Sequence, residues 1–315
     1  MLKGWLTRTM ALSLGLAVVL SGCGKGSEQS ATGKLKVVTT FYPMYEFSKQ
    51  VAGDHADVVA LIPSGVEPHD WEPSAKDMAV LKGADVFVYN GIVEGWAENA
   101  LASAANDTRI VVEASKGLSL IEGTEEEDEH EHGEGHAEED HGLDPHVWLS
   151  PALAQLEVAA IQAALEQADP AHRDDYKKNA ENYIAKLKEL DQAYRSGLNG
   201  VKRTEFVTQH AAFGYLAKEY GLTQVPIAGL SPEQEPSPGE MAKVVEFAKE
   251  HRVKTIFFET LVEPKVAQVV ADEIGAKTDV LNPLEGLTAD EIKNNLDYIA
   301  IMKQNLEALK KALQE

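Results

Sequence analysis

From Leu35 onward the chain alternates two patterns: short apolar, often β-branched runs, and longer stretches whose apolar positions recur every three or four residues. The first pattern suits strands and the second suits helices. It predicts a strand over 35–40, a helix over 43–52, a strand over 58–62, a helix over 74–82, and strands over 86–90 and 109–112. Between 151 and 200 the pattern turns helical. Pro151 fits a first turn capped by Ser150, and the Asp169-Pro170 step breaks the run. A second helix then spans 173–198, with Tyr183, Leu187, Leu190 and Tyr194 in helical spacing and Gly197 and Gly200 expected to end it. Alternation resumes with strands over 204–208, 224–227, 255–259 and 279–281, and helices over 210–220, 238–251, 266–274 and a single final 289–314. Strands alternating with helices imply parallel sheets. The expected fold is α/β: two (β/α) lobes joined by a long rigid connecting helix. In such folds ligands lie beyond the carboxyl ends of the strands, and clefts between lobes are favoured sites.

The segment before the first strand has another character. Lys3 and Arg8 precede a short apolar run over 10–20, which reads as a secretory signal. A membrane span would need about 20 apolar residues. The run ends in Leu20-Ser21-Gly22-Cys23, which resembles a bacterial lipobox and predicts cleavage before Cys23 and lipid on its thiol. Cys23 is the only cysteine, which excludes an intramolecular disulfide and a multi-thiolate metal site. Residues 24–33 are Gly-, Ser- and polar-rich and read as a flexible tether. Stable anchoring then implies more than one acyl chain. The expected organisation is a signal peptide over 1–22, a lipidated cysteine and tether over 23–33, an N-terminal lobe over 34–150, a helical connection over 151–200 and a C-terminal lobe over 201–315. The expected location is the outer face of the cytoplasmic membrane, held by the lipid.

The composition has 29 Lys and Arg against 51 Asp and Glu, a net charge of −22, which argues against nucleic acid as a partner. Eleven of those acids fall within 122–141, which has no Lys or Arg and carries His130, His132, His136 and His141. So polar a run cannot build a packed core, and its histidines suit weak auxiliary metal binding.

Three other histidines lie far apart in sequence but in similar company. His69 falls in PSGVEPHDWEPS (63–74), where prolines at 63, 68 and 73 bar a helix. His146 falls in DPHVWLSP (144–151), and His210 ends TQH (208–210), where a strand hands over to a helix. All three sit on loops or strand ends, where functional groups concentrate. Neutral imidazole favours zinc and its transition-metal neighbours over calcium or magnesium. Bound histidines also need acceptors for their second nitrogens, and Glu67, Asp70 and Asp144 are near in sequence. Trp71, Trp96 and Trp148 fit either a cleft wall or core packing.

With these motifs, and with TTFYPMYEF, the ADVFVYNG–W segment, TQHAAFGYL, SPEQEPSP and LNPLEGL in order, the chain from Lys34 to Glu315 resembles the zinc- and manganese-binding lipoproteins of bacterial ABC importers (cluster A-I, ZnuA/AdcA-like). The resemblance implies two (β/α) lobes bridged by a rigid helix, with one metal at their interface. It also implies His69, His146 and His210 as ligands, with Glu285 of LNPLEGL as the fourth. Glu259, or water, is the alternative fourth ligand. The family's manganese importers place a carboxylate where His210 stands here, so nitrogen at that position tilts preference from Mn2+ to Zn2+. The implied partners are an ABC permease and its ATPase, the protein being monomeric. The His/acid-rich run resembles the loop found in many zinc members.

The function expected is therefore capture of Zn2+ and its delivery to the permease, without catalysis. The alternatives are a manganese importer component, a zinc hydrolase and a metal-binding adhesin. Against the hydrolase, the sequence has no HExxH helix. Imidazole ligation also implies weaker binding as pH falls through the range near 6.5.

Overall fold

The computed structural model describes residues 33–123 and 142–315. The signal region, Cys23, and His130, His132, His136 and His141 lie outside the described residues. The strands form two four-stranded parallel sheets of the same topology. In the first, β1 (Leu35–Thr39), β2 (Ala56–Ala60), β3 (Val86–Tyr89) and β4 (Ile110–Glu113) take the order β2-β1-β3-β4, connected through α1 (Tyr42–Ala52), α2 (Ala75–Lys82) and α3 (Ala97–Ser103). Two long helices follow, α4 (Pro151–Ala168) and α5 (Arg173–Leu198). The second sheet takes the order β6-β5-β7-β8. Its elements run β5 (Glu205–Thr208), α6 (Gly214–Tyr220), β6 (Thr223–Pro226), α7 (Pro238–Glu250), β7 (Thr255–Phe258), α8 (Lys265–Ile274) and β8 (Lys277–Val280), and the chain closes with α9 (Ala289–Lys293) and α10 (Tyr298–Leu313).

The alternation of side chains along each strand separates the cores. On β1, Val37 faces the central core while Val38 faces an outer cluster with Leu81, Phe87 and Trp96. On the second sheet, Phe206 and Phe257 face inward, and Val207 and Ile256 pack outward with Val244 and Val270. The central core runs continuously from the first sheet to the second through α4, α5 and α10. α5 buries Tyr176, Ala180, Tyr183, Leu187, Leu190, Tyr194 and Leu198, a stripe at steps of three and four. At about 1.5 Å per residue it is about 39 Å long, and it touches α1 and α4 on one side and α6 and α10 on the other. It is the connecting helix, shared by both lobes.

Several boundaries differ from the sequence expectations. α4 starts at Pro151 with Ser150 accepting from Leu153 N–H, as the motif predicts. Gly197 lies inside α5 rather than ending it: a β-carbon there would sit 3.1 Å from Lys310 and 3.3 Å from Leu306, so its bareness admits α10. The expected helix at 210 begins only at Gly214. The His210 carbonyl instead accepts from Thr208 Oγ1 and Gln224 Nε2, and Ala211 N–H bonds Gly229 O. The expected single helix over 289–314 is two. Asn295 turns the chain at φ +52° and Asp297 caps α10 through Ala300 N–H. The short α3 was not predicted, because the Asn90-Gly91 and Gly95 turn signals obscure its start. β2 falls two residues earlier than expected.

Between β4 and α4, Glu122 and Leu143 form an antiparallel bridge. Gly123 N–H bonds Gly142 O at 2.8 Å, and Asp144 N–H bonds Ile121 O at 3.0 Å. The two described ends that flank residues 124–141 are thus tied to each other. Among the described residues, no helix is long and apolar enough to cross a membrane.

Candidate metal centre

All four candidate ligands lie beyond the carboxyl ends of strands. His69 is in the β2–α2 loop, His146 in the segment after β4, His210 two residues past the central strand β5, and Glu285 five past β8. Each is oriented by its own surroundings. Glu67 accepts the His69 N–H on both oxygens, at 3.1 and 3.0 Å, which sets the turn inside the proline-rich loop. Asp144 Oδ1 accepts both the backbone N–H of His146 (2.9 Å) and its Nδ1 (2.8 Å). Glu259 Oε1 does the same for His210, at 3.2 Å from the backbone nitrogen and 2.5 Å from Nδ1. With Nδ1 donating to a carboxylate, Nε2 is the nitrogen left to a cation once its own proton is gone.

Those free nitrogens converge. Glu285 Oε1 stands 3.0 Å from His69 Nε2, 3.3 Å from His146 Nε2 and 3.5 Å from His210 Nε2, and the last two nitrogens are 3.4 Å apart. One ligand atom from each of the four lies within 4.8 Å of all the others. Four ligands at about 2.0–2.1 Å from a tetrahedral zinc would be spaced about 3.3–3.4 Å from one another. These four separations bracket that edge. His146, His210 and Glu285 are buried, and His69 alone is partly open to solvent.

The charges are strongly coupled. Burial alone would push Glu285 up, but the positive field of His210 and hydrogen bonds from His146, His210 and His69 hold its carboxyl well below the usual range. Burial would lower His210, yet the carboxylates of Glu259 and Glu285 outweigh it and raise the imidazole to about 10. His146 is raised as well: burial opposes this, and hydrogen bonds to Asp144 and Glu285 prevail. Glu67 is pushed up to about 7 by burial and by the neighbouring Glu285. Without metal the cluster is thus a carboxylate holding protonated imidazole, a set of protons that a cation would displace.

The remaining sequence candidates find other places. Asp144 is an acceptor for a histidine Nδ1, as expected. Glu67 holds the His69 backbone instead, and Asp70 neighbours Glu233, whose carboxyl it pushes above its usual range. Glu259 stands behind His210, on the nitrogen facing away from the cluster. Its signal was its position at the end of a strand next to the one that delivers His210. Trp148 backs His146, with ring centroids 5.2 Å apart, while Trp96 belongs to the outer core and Trp71 packs on it at 5.2 Å. Glu285 Oε2 has no hydrogen-bond partner among the described residues.

A family model described as zinc-uptake complex component A, periplasmic (ZnuA) matches residues 37–312. The chain belongs to this family. It is 55% identical over 301 residues to the high-affinity zinc uptake system protein ZnuA of Bacillus subtilis, covering 94% of each chain. It is 46% identical over 302 residues to the zinc-binding lipoprotein AdcA of Streptococcus pneumoniae, covering 95% of this chain and 59% of that longer protein. The crystal structure of the Zn(II)-bound ZnuA-like domain of Streptococcus pneumoniae AdcA superposes with a TM-score of 0.76 at 43% identity, covering 90% of this chain and all of that one. The expected two-lobed α/β fold with its connecting helix is the family's.

Proposed function

We propose that this protein captures Zn2+ outside the cytoplasmic membrane and delivers it to the permease of an ABC importer powered by an ATPase. In this reading His69, His146, His210 and Glu285 hold the ion, and zinc is cargo rather than cofactor. The observation that carries it is the spacing of the four ligand atoms, all within 4.8 Å of one another and with Glu285 Oε1 3.0–3.5 Å from the three Nε2 atoms, on a buried floor with carboxylates already placed on Nδ1 of two histidines. Three imidazoles and one carboxylate suit zinc, and the nitrogen at His210 disfavours manganese. Catalysis is not expected. A catalytic zinc keeps one position open for water, and Glu285 Oε1 fills the fourth here. Relatives whose names describe zinc uptake and zinc binding support the same reading.

The finer parts of the proposal are a monomer anchored by lipid on Cys23, lobes divided near residues 150 and 200, and a His/acid-rich run that gathers zinc weakly through His130, His132, His136 and His141. Deleting 125–141 and titrating zinc tests the last: unchanged stoichiometry and unchanged uptake at scarce zinc would refute it.

For the main reading, the protein is purified without chelator, its metal measured, and zinc affinity determined by chelator competition for the parent, His146→Ala and His210→Ala. One tightly bound zinc in the parent, lost in both variants, together with failure of a deletion strain to grow at limiting zinc, is the expected result. Tight zinc retained by both variants, or manganese bound in preference, sinks it.

A further inference from the structure

We propose that Asn305 and Trp148 are positioning residues for the fourth ligand: together they fix the backbone that carries Glu285, so that its carboxylate is in place before the ion arrives. This rests on the reading of Glu285 as a zinc ligand.

Residues 281–285 leave β8 and cross the molecular core with almost every polar group engaged. Leu281 N–H bonds Phe258 O at 3.0 Å. Asn305, on α10, meets Asn282 twice: its Oδ1 accepts the Asn282 N–H at 2.9 Å and its Nδ2 donates to the Asn282 carbonyl at 2.7 Å. The Asn282 side chain donates to Glu291 at 2.7 Å and accepts the Leu284 N–H at 2.7 Å. The Pro283 carbonyl accepts the Trp148 indole N–H at 2.8 Å. Trp148 is two residues from His146, and its own carbonyl accepts the Tyr298 hydroxyl from the start of α10. One side chain therefore ties the segment that carries His146 to the segment that carries Glu285, through residues 135 positions apart.

The outcome of these contacts is a strained conformation at the next residue. Leu284 is fully buried and holds φ at +59°, the left-handed region that a side chain with a β-carbon rarely adopts. Such strain persists only where the surroundings over-determine it, and it clusters at functional sites. Leu284 immediately precedes Glu285, so this turn sets the direction in which the carboxylate leaves the chain. Among the described residues the carboxylate has no hydrogen-bond or ion-pair partner besides the histidines, and one oxygen has none. Its placement must come from its backbone. Asn305 touches no ligand, which makes it the cleaner of the two to test.

The test is a double-mutant cycle on the full chain, read by zinc affinity and by the visible spectrum of the Co2+-loaded protein. Glu285→Ala is the reference. Asn305→Leu, of similar shape, removes both bonds to Asn282, and Trp148→Phe removes the indole N–H. Each should weaken zinc about tenfold to a hundredfold in the parent, shift the Co2+ spectrum toward that of E285A, and cost little further affinity in the E285A background. Equal losses in both backgrounds, or an unshifted Co2+ spectrum, overturn the positioning role. If N305L does not fold, W148F carries the same cycle alone. If E285A itself changes neither affinity nor spectrum, the fourth-ligand assignment fails, and the positioning role with it.

Discussion

Individual side chains set the protonation chemistry of this protein. His210 lies between Glu259 and Glu285, and with its pKa raised to about 10 it holds a proton at neutral pH in the metal-free state. In the proposed site zinc takes that nitrogen bare, so binding there would expel the proton. Apparent affinity should then rise about tenfold per pH unit from about pH 7 to about pH 9, with the window well above the free-imidazole range near 6.5 that the sequence suggests. Chelator competition across that interval checks it, and a flat profile would contradict it. Glu157, on α4, is a second case: fully buried, both oxygens unpartnered among the described residues, and raised to about 8 by burial and then by Glu94. In the unfolded chain this carboxyl ionises near 4.5 and in the folded one near 8, so its contribution is complete at low pH and drains away as pH rises across that interval. Glu157→Gln should therefore stabilise the protein at pH 8 by roughly 2–4 kcal/mol and flatten the pH dependence of thermal unfolding. Equal melting of both proteins at pH 8 would refute it. The histidines were legible because their motifs are rigid and lie at strand ends. Glu259 was not seen as an orienting group, since nothing in a single strand tells which neighbour its last residue faces.

Among the elements, α5 was the most legible, because seven buried positions at steps of three and four leave no competing period. Strand ends and α6 were less so. Side chains of Thr208 and Gln224 take the carbonyl that a helix beginning at His210 would use, and such long-range competition has no local signature. The break between α9 and α10 was missed for a related reason. Asn295 and Asp297 are tolerable within a helical pattern, and only the turn they make reveals them. The stripe on α5 packs against helices of both lobes, so its loss should be felt by both. Leu187→Ala is expected to cost about 2–5 kcal/mol and to lower the melting temperature by roughly 5–15 °C in one cooperative transition. Two separate transitions in calorimetry, with only one displaced, would mean that the helix serves one lobe alone.

At the scale of the whole molecule, the four candidate ligands follow strands of both sheets and meet within 4.8 Å of one another. Zinc at a thousandfold excess over its dissociation constant should stabilise the folded state by about 4 kcal/mol, raising the melting temperature by roughly 8–16 °C. Addition of a chelator should reverse it, and an unmoved transition would mean that the folded protein does not bind zinc in preference to the unfolded chain. The architecture was readable from alternating patterns. The exact convergence was not, because residues as remote as His69 and Glu285 meet only through the register of two sheets and the helix between them. The stem closed by Glu122 and Leu143 carries its own lesson. Its two ends are tied backbone to backbone ahead of Asp144. A reporter grafted between them is expected to leave the candidate metal centre undisturbed.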